Sequence, residues 1–514
     1  VTLAIASGLL LALSFPRFGL PALAWIALSP LLVAVHGVPV RRAFTLGLIS
    51  GLTYFTGTLY WITRVMAVYG GLNAAVAGMV NALLIAYLAL FPALFAVIVS
   101  RLCASFGVRA LLAAPLAWVA TELGRAYLFT GFPWVLLGYS QASVLPVAQF
   151  AAVVGVFGLS GLLALVGSAV AYAGVVSVRR VASGERPLPH RTRGTVMTAY
   201  RPLVVSLVLV GVIGAWGSYR IRRADLTRRG DRVEVGLIQA NVDQGEKWDR
   251  ARAAGIFQQY LDMTQRAIGE GAQVVIWPES SSPFYFEEDR AGADQVRAIA
   301  RASQVPIVVG SDQILRGVPT RYYNSAFLVA PDGSTAGVYR KMHLVPFGEY
   351  VPLKRLLFFV GPLVEAVSDF SAGEDAVLLP VRGHLMSTSI CYEIVYPDLV
   401  RAFTRGGSEL LTTITNDAWF GNTSAPYQHF AQASMRAIEN GRYLVRSANT
   451  GISGIVDPYG RVRAETAIFE RAIVVGEARF LDDRTIYVRI GDVFAYAGTV
   501  ITLLLLVAAR RRVK

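Results

Sequence analysis

Thr388-Ser-Ile-Cys-Tyr-Glu-Ile-Val-Tyr-Pro-Asp398 is the stretch around which the other signals in this chain arrange themselves. Its lead-in, Gly383-His-Leu-Met-Ser-Thr-Ser-Ile390, reads as extended, so Cys391 sits where a strand stops and a turn or helix begins. Folds commonly expose a nucleophile at such a point. Cys391 is also one of only two cysteines in 514 residues. A lone cysteine is more often a small buried hydrophobe than a catalyst, so its meaning rests on its surroundings.

Outward from that stretch, 231–484 is mixed, charged and turn-rich, as a globular domain is. Val233-Glu-Val-Gly-Leu-Ile-Gln239 alternates as a strand, and 250–269 reads as an amphipathic helix. Gln273-Val-Val-Ile-Trp277 is a buried-type strand that ends at Pro278-Glu279. A helix near 290–303 leads to a strand at 306–310. The runs 323–330 and 336–339, joined through Pro331-Asp-Gly333, read as a hairpin. A second series follows, with strands at 383–390, 409–415, 443–448 and 452–456 and a helix at 427–441. Strands alternating with helices, plus hairpins, predict a layered α/β domain.

The rest of the chain is different. It is 54% hydrophobic overall with 16% charged residues, and its mean hydropathy is +0.50. Arg64 and Arg101 bracket 36 uncharged residues, and Arg125 and Arg179 bracket 53. A bilayer core takes about 20 apolar residues per helix, so these runs hold several spans. Helices are expected near 1–15, 19–35, 43–63, 73–99, 109–128, 150–177, 202–219 and 493–509, a polytopic membrane domain of about eight. The segment 1–15 is expected to be the first of these rather than a signal peptide, since no basic stretch precedes it. The organisation is then 1–219 for seven helices, 220–232 for a linker, 233–484 for the globular domain, and 485–514 for a last helix with a basic tail.

The formal charge of +14 could point to nucleic acid, but its placement does not. With the N-terminus inside, inner loops carry Arg41 and Arg42, Arg101 and Arg109, and six arginines between Arg179 and Arg201. The tail adds Arg510, Arg511, Arg512 and Lys514. This is the positive-inside pattern, and it exports the globular domain. The arginines between 220 and 232 fall on the other side, where anionic headgroups are their expected partners. No disulfide is expected within the exported domain. Glu122 and Arg125, three apart on one helix, can pair, and a structural anchor and a substrate role are equally open to them. Leu356-Leu-Phe-Phe-Val360 is an apolar loop that reads as core or as a membrane-touching lid.

Three polar residues end or follow predicted strands: Glu279, Lys341 in Tyr339-Arg-Lys-Met-His343, and Cys391. Together they suit acyl transfer, in which a thiolate attacks a carbonyl, a carboxylate moves the proton, and an ammonium meets the oxyanion. Spacing does not bring them together, and taken alone a surface Glu or Lys is the better reading of either charged residue. The five histidines show no metal-ligand spacing, so neither metal nor cofactor is expected.

Five motifs give these residues a context. They are Thr130-Gly-Phe-Pro-Trp134 with Gly138-Tyr-Ser-Gln141, Trp277-Pro-Glu-Ser280, His343-Leu-Val-Pro-Phe-Gly-Glu-Tyr-Val-Pro352, Ile390-Cys-Tyr-Glu393 and Asn416-Asp-Ala-Trp-Phe-Gly421. In this order they resemble the nitrilase (carbon–nitrogen hydrolase) superfamily, and over nearly the whole chain its membrane-integral branch, the bacterial apolipoprotein N-acyltransferases. The resemblance implies an αββα sandwich for the exported domain, with Cys391 as nucleophile, Glu279 as general base and acid, and Lys341 facing the oxyanion. Glu349 would orient Lys341, the Tyr392 N–H would be an oxyanion donor, and Glu393 would support the site. Trp248, Asn416 and Trp419 match substrate-binding positions.

The resemblance further implies a phospholipid acyl donor and, as acceptor, the α-amine of a diacylglyceryl-modified N-terminal cysteine on an apolipoprotein. It implies a monomer in contact with membrane lipids but not nucleic acid. The enzyme would be multi-pass in the bacterial inner membrane with its catalytic domain on the periplasmic side. A membrane-tethered amidohydrolase using the same triad is the alternative, though a tether needs one helix rather than eight. A transporter fits less well, because few charges lie within the spans.

Overall fold

A computed structural model describes residues 1–182, 192–245, 247, 249–346, 348–350 and 370–513. Trp248, the apolar run 356–360 and most of the basic loop 183–194 lie outside the described residues. The chain forms two compact units. One comprises 1–63, 75–223 and 490–514, the other 64–74 and 224–489.

The first unit is helical. Among the described residues, four helices are long and apolar enough to cross a membrane: Ala74–Phe106, Ala151–Val178, Ala199–Thr227 and Val493–Arg512. Other expected spans are shorter or broken. The first is the 12-residue helix Thr2–Leu13. The run 19–35 splits into a 3₁₀ turn, Pro21–Trp25, and a helix, Ser29–Val35. The run 109–128 splits into Val108–Ala113 and Ala114–Tyr127. Proline marks the restarts. Pro21, Pro30 and Pro115 each lie in a first turn, where a missing N–H costs no hydrogen bond.

Glu122 and Arg125 face the backbone of the non-helical segment that follows them. Arg125 donates to the carbonyls of Phe132 (3.0 Å) and Trp134 (2.7 Å), and Glu122 Oε1 accepts from the Leu137 N–H at 2.7 Å. Irregular backbone in an apolar unit survives only where other groups satisfy it. Buried ionisable side chains do that here.

The second unit is the αββα sandwich. Its strands are β1 Arg232–Gln239, β2 Val274–Ile276, β3 Ile307–Leu315, β4 Arg321–Val329, β5 Thr335–Arg340 and β6 Leu378–Val381. Then come β7 His384–Ile390, β8 Leu410–Thr415, β9 Leu444–Ala448, β10 Gly454–Val456, β11 Val462–Glu465 and β12 Ala472–Arg479. Two six-stranded sheets result, ordered β12-β1-β2-β3-β4-β5 and β11-β10-β9-β8-β7-β6. In each, three neighbouring strands are parallel (β1, β2, β3 and β7, β8, β9) and the flanking strands antiparallel.

The sheets face each other across an apolar core. Ser447 Oγ reaches from β9 to the carbonyls of Ile238 and Ile276, each at 3.0 Å. Helices Arg250–Gly269 and Arg290–Ser303 cover the first sheet, and Pro397–Arg405 and Ala425–Asn440 the second. Trp277, fully buried at the end of β2, stacks on Tyr260 at 4.9 Å and donates to Thr264 Oγ1 at 2.8 Å. Burying such a side chain contributes about 1.5–3 kcal/mol, and the indole N–H keeps a partner. The central strands β2 and β8 are buried at every residue, which is why they read as unbroken apolar or small runs.

Three strands have no counterpart in the sequence reading: β6, β11 and β12. The last pairs antiparallel with β1 along its whole length, from Arg232 opposite Arg479 to Gln239 opposite Ala472. As an edge strand it is half-buried almost throughout, so no period of two marks it.

Candidate active site

In open α/β sheets, ligands gather at the carboxyl ends of the parallel strands. Glu279 lies just past β2, Cys391 directly after β7 and Asn416 directly after β8, while Lys341 follows the antiparallel β5. Gly310 on β3 lets the segment that follows β2 pack close against it. A Cβ there would run into the Pro278 carbonyl oxygen and the Glu279 Cα.

Lys341, 1% exposed, holds two carboxylates. Its Nζ lies 2.8 Å from Glu349 Oε1 and 3.3 Å from Glu279 Oε1. Asn324, from the middle of β4, donates its amide to the same two oxygens, at 2.7 Å to Glu279 and 3.1 Å to Glu349. The other Glu279 oxygen accepts from the Asn416 backbone N–H at 2.9 Å. Glu349 is fixed in turn by the Val345 N–H, 2.8 Å from its Oε2. All four carboxylate oxygens of Glu279 and Glu349 thus have a donor.

The charges follow from these contacts. Burial opposes the Glu279 anion, but Lys341 foremost, with Asn324, Lys247 and the Asn416 N–H, outweighs it and holds the carboxyl below its usual range. Burial likewise opposes the Lys341 cation, but Glu349 and Glu279 hold it above the usual lysine range. Cys391 goes the other way: burial, then the Glu279 charge, push its thiol up, only partly offset by Lys341. The resting site is therefore thiol, carboxylate and ammonium. A thiol so protonated requires a base before it can attack.

Cys391 opens a one-turn 3₁₀ helix, Cys391–Val395, and is held at φ +51°. The left-handed region is uncommon for any residue but glycine and clusters at functional turns. Tyr392 follows in the same turn. Glu393 ties this turn to the lysine loop. Its Oε1 accepts from Tyr339 Oη (2.8 Å) and from the N–H groups of Met342 (2.7 Å) and His343 (3.0 Å), and its Oε2 from the Ile390 N–H (2.7 Å). Burial nonetheless raises its carboxyl to about 7.

The Asn416 side chain is buried between Gln244 Oε1 at 2.6 Å and Asn449 Nδ2 at 3.0 Å. Trp419 is 37% exposed, with Tyr69 set edge-on to it at 5.4 Å. Sequence reasoning did not find Asn324, which sits inside a strand, nor Lys247. Buried Lys247 places Nζ 3.4 Å from the Glu279 carbonyl, and burial lowers it to about 8. It also missed Asp417, His429 and Arg446, a buried chain of charges reaching the Cys391 carbonyl.

Comparison with known proteins identifies the family. The family model described as carbon-nitrogen hydrolase matches residues 234–480, and that described as apolipoprotein N-acyltransferase N-terminal domain matches 7–169. An apolipoprotein N-acyltransferase of Geobacter metallireducens is 42% identical over 499 residues, covering 96% of this chain and 92% of its own length. One from Methylococcus capsulatus is 35% identical, covering 95% and 92%. Among solved structures, an amidase from Nesterenkonia sp. covers 52% of this chain and 97% of its own at 22% identity and a TM-score of 0.39. With relatives this similar along almost its whole length, the chain belongs to the apolipoprotein N-acyltransferases, the acyltransferase family of the carbon–nitrogen hydrolase superfamily.

Proposed function

We propose that this acyltransferase moves a fatty acyl chain from a membrane phospholipid, through a thioester on Cys391, to the α-amine of the N-terminal diacylglyceryl-cysteine of an apolipoprotein. The observation that carries this reading is the Lys341 ammonium shared between Glu279 and Glu349 beside a Cys391 thiol whose charge both Glu279 and Lys341 influence. Glu279 takes the thiol proton as sulfur attacks the ester carbonyl. Lys341 and the Tyr392 N–H meet the oxyanion. As the tetrahedral intermediate collapses, Glu279 returns the proton to the departing lysophospholipid alkoxide, leaving the acyl thioester. In the second half, Glu279 removes a proton from the attacking amine, the amide forms, and the proton passes to the Cys391 thiolate. Asn324, Glu349 and Glu393 act as positioning residues, and Trp248 and Trp419 are assigned to substrate binding. Asn416, expected with them, is assigned to positioning instead, because its side chain is taken up by Gln244 and Asn449 and its N–H by Glu279.

The acceptor decides between transferase and hydrolase. An amine attacks a thioester better than water does, so the site need only exclude water to favour transfer. Purified protein given phospholipid and a diacylglyceryl-cysteinyl peptide should yield N-acyl peptide and lysophospholipid. Release of free fatty acid at the same rate with and without peptide would favour the hydrolase reading.

The arginine-rich loops support a multi-pass inner-membrane protein whose catalytic unit faces the periplasm, and the same proposal takes it to act as a monomer. Reporter fusions at residue 190 and after 514 should report cytoplasm, and one near 300 the outside. A cytoplasmic signal at 300 would overturn the orientation.

A further inference from the structure

The mechanism above makes no use of the charged chain behind Cys391. Asp417, His429 and Arg446 are 1%, 0% and 0% exposed. They come from three elements: the turn after β8, the helix Ala425–Asn440, and β9. His429 Nε2 lies 3.1 Å from the Cys391 carbonyl oxygen. A carbonyl only accepts, so Nε2 is the protonated nitrogen. Nδ1 lies 3.0 Å from Arg446 Nη2 and 3.1 Å from Asp417 Oδ1. In the neutral imidazole it accepts from the arginine, in the imidazolium it would donate to the carboxylate, and in both forms Nε2 donates to the Cys391 carbonyl. Burial foremost, with the Arg446 charge, lowers this imidazole's affinity for a second proton and outweighs the opposing Asp417 charge, which agrees with the neutral form. Arg446 is itself pinned by Asp417 Oδ2 at 2.7 Å and the Ile452 carbonyl at 3.1 Å, and Thr415 Oγ1 donates to Asp417 Oδ1 at 2.9 Å. A side chain on Gly451 would collide with Asp417, so the backbone closes over the network.

The consequence lies in one peptide plane. In a trans peptide the carbonyl of one residue and the N–H of the next are coplanar and point to opposite sides. The Cys391 carbonyl and the Tyr392 N–H belong to the same unit. We propose that His429 is a positioning residue that latches the Cys391–Tyr392 peptide by donating to the Cys391 carbonyl, and so aims the Tyr392 N–H at the developing oxyanion. The latch rests on the reading of Cys391 as nucleophile. Without it, rotation of this peptide would turn a carbonyl oxygen, negative where a donor is required, toward the reacting ester. The left-handed φ of Cys391 is locally unfavourable for a residue with a side chain, so the turn is held by its contacts and not by its own preference.

Two substitutions separate latch from scaffold. His429→Gln puts an amide nitrogen near the position of Nε2, whereas His429→Asn puts one near Nδ1 and falls short of the carbonyl. Three readouts are taken on the full-length protein: acylation of Cys391 from phospholipid without acceptor, alkylation of Cys391 by iodoacetamide, and the thermal midpoint. Alkylation requires the thiol but no oxyanion donor. His429→Asn should slow acylation by about 10²-fold, as loss of an oxyanion donor does, with alkylation close to wild type. His429→Gln should keep most of the acylation rate. Wild-type acylation in a folded His429→Asn overturns the latch, and so does an equal loss of acylation and alkylation, which would mean the thiol itself had moved. Should His429→Asn not fold, His429→Gln still decides, since a folded variant acylating about 10²-fold slower overturns the proposal. A wild type that forms no adduct on Cys391 removes the nucleophile reading, and the latch with it.

Discussion

Cys391→Ala should form no acyl adduct and no N-acyl product, a loss on the order of 10⁴-fold or more, as when a covalent nucleophile is removed from other acyl-transfer sites. Covalent catalysis divides one difficult transfer into two easier ones and leaves an intermediate that can be weighed. Both the donor lipid and the lipidated acceptor are bulky, so alternate occupation of one site, in ping-pong order, is expected. Wild-type protein with phospholipid alone should gain one acyl mass, removable by hydroxylamine and mapping to Cys391. Adding the diacylglyceryl-cysteinyl peptide should discharge it quickly, and water only slowly. Cys391→Ser should do little better than alanine. The thiol is already pushed up by burial and by Glu279, and a hydroxyl in its place is far less acidic, so Glu279, held below its usual range, is too weak a base to draw off the proton. Product from Cys391→Ala at an appreciable rate would end the covalent scheme.

The parts legible in the sequence are those that local pattern controls. The helices Arg250–Gly269 and Arg290–Ser303 are legible, the first from its amphipathic spacing. The step from β7 into the Cys391 turn was visible because an extended run ends there. β12 was not, because an edge strand half-buried on both faces carries no period. The expected helices 19–35 and 109–128 end within two residues of the observed elements, but the breaks inside them are not legible, since hydropathy does not change across Pro30 or Pro115.

In the site, residues that follow strands announced themselves, and those that act across the sandwich did not. Asn324 lies within β4, in a run that reads as plain hairpin, yet it bridges both carboxylates. Asp417, His429 and Arg446 meet only because β8, β9 and a covering helix converge behind Cys391. Each looks like an ordinary surface charge in sequence. Only burial at 1% exposure or less makes them a network, because a charge taken from water must find partners there.

Lys341→Met should lower turnover by about 10²-fold or more through loss of the oxyanion cation, with phospholipid binding largely kept. The loss should also change the pH dependence, because Lys341 does a second job. It is the cation between Glu279 and Glu349, whose Oε1 atoms already share the Asn324 amide. Without it, two buried carboxylates face each other, and such a pair cannot both stay ionised. The Glu279 carboxyl should therefore rise from its depressed value, and a base protonated over more of the acid range is lost there. The acidic limb of the rate profile should accordingly move to higher pH in Lys341→Met. Leaving a buried charge unpaired should also cost about 3–5 kcal/mol of stability, read as a lowered thermal midpoint. Lys341→Arg should rescue poorly, since a planar fork does not fit where a compact ammonium sits between two carboxylates. The double variant Lys341→Met with Glu349→Gln separates the two jobs. Removing the competing charge should move the acidic limb part of the way back and recover stability, while the oxyanion loss persists. Near-normal turnover in both Lys341→Met and Lys341→Arg would remove Lys341 from the chemistry, and an unmoved acidic limb would remove it from control of Glu279.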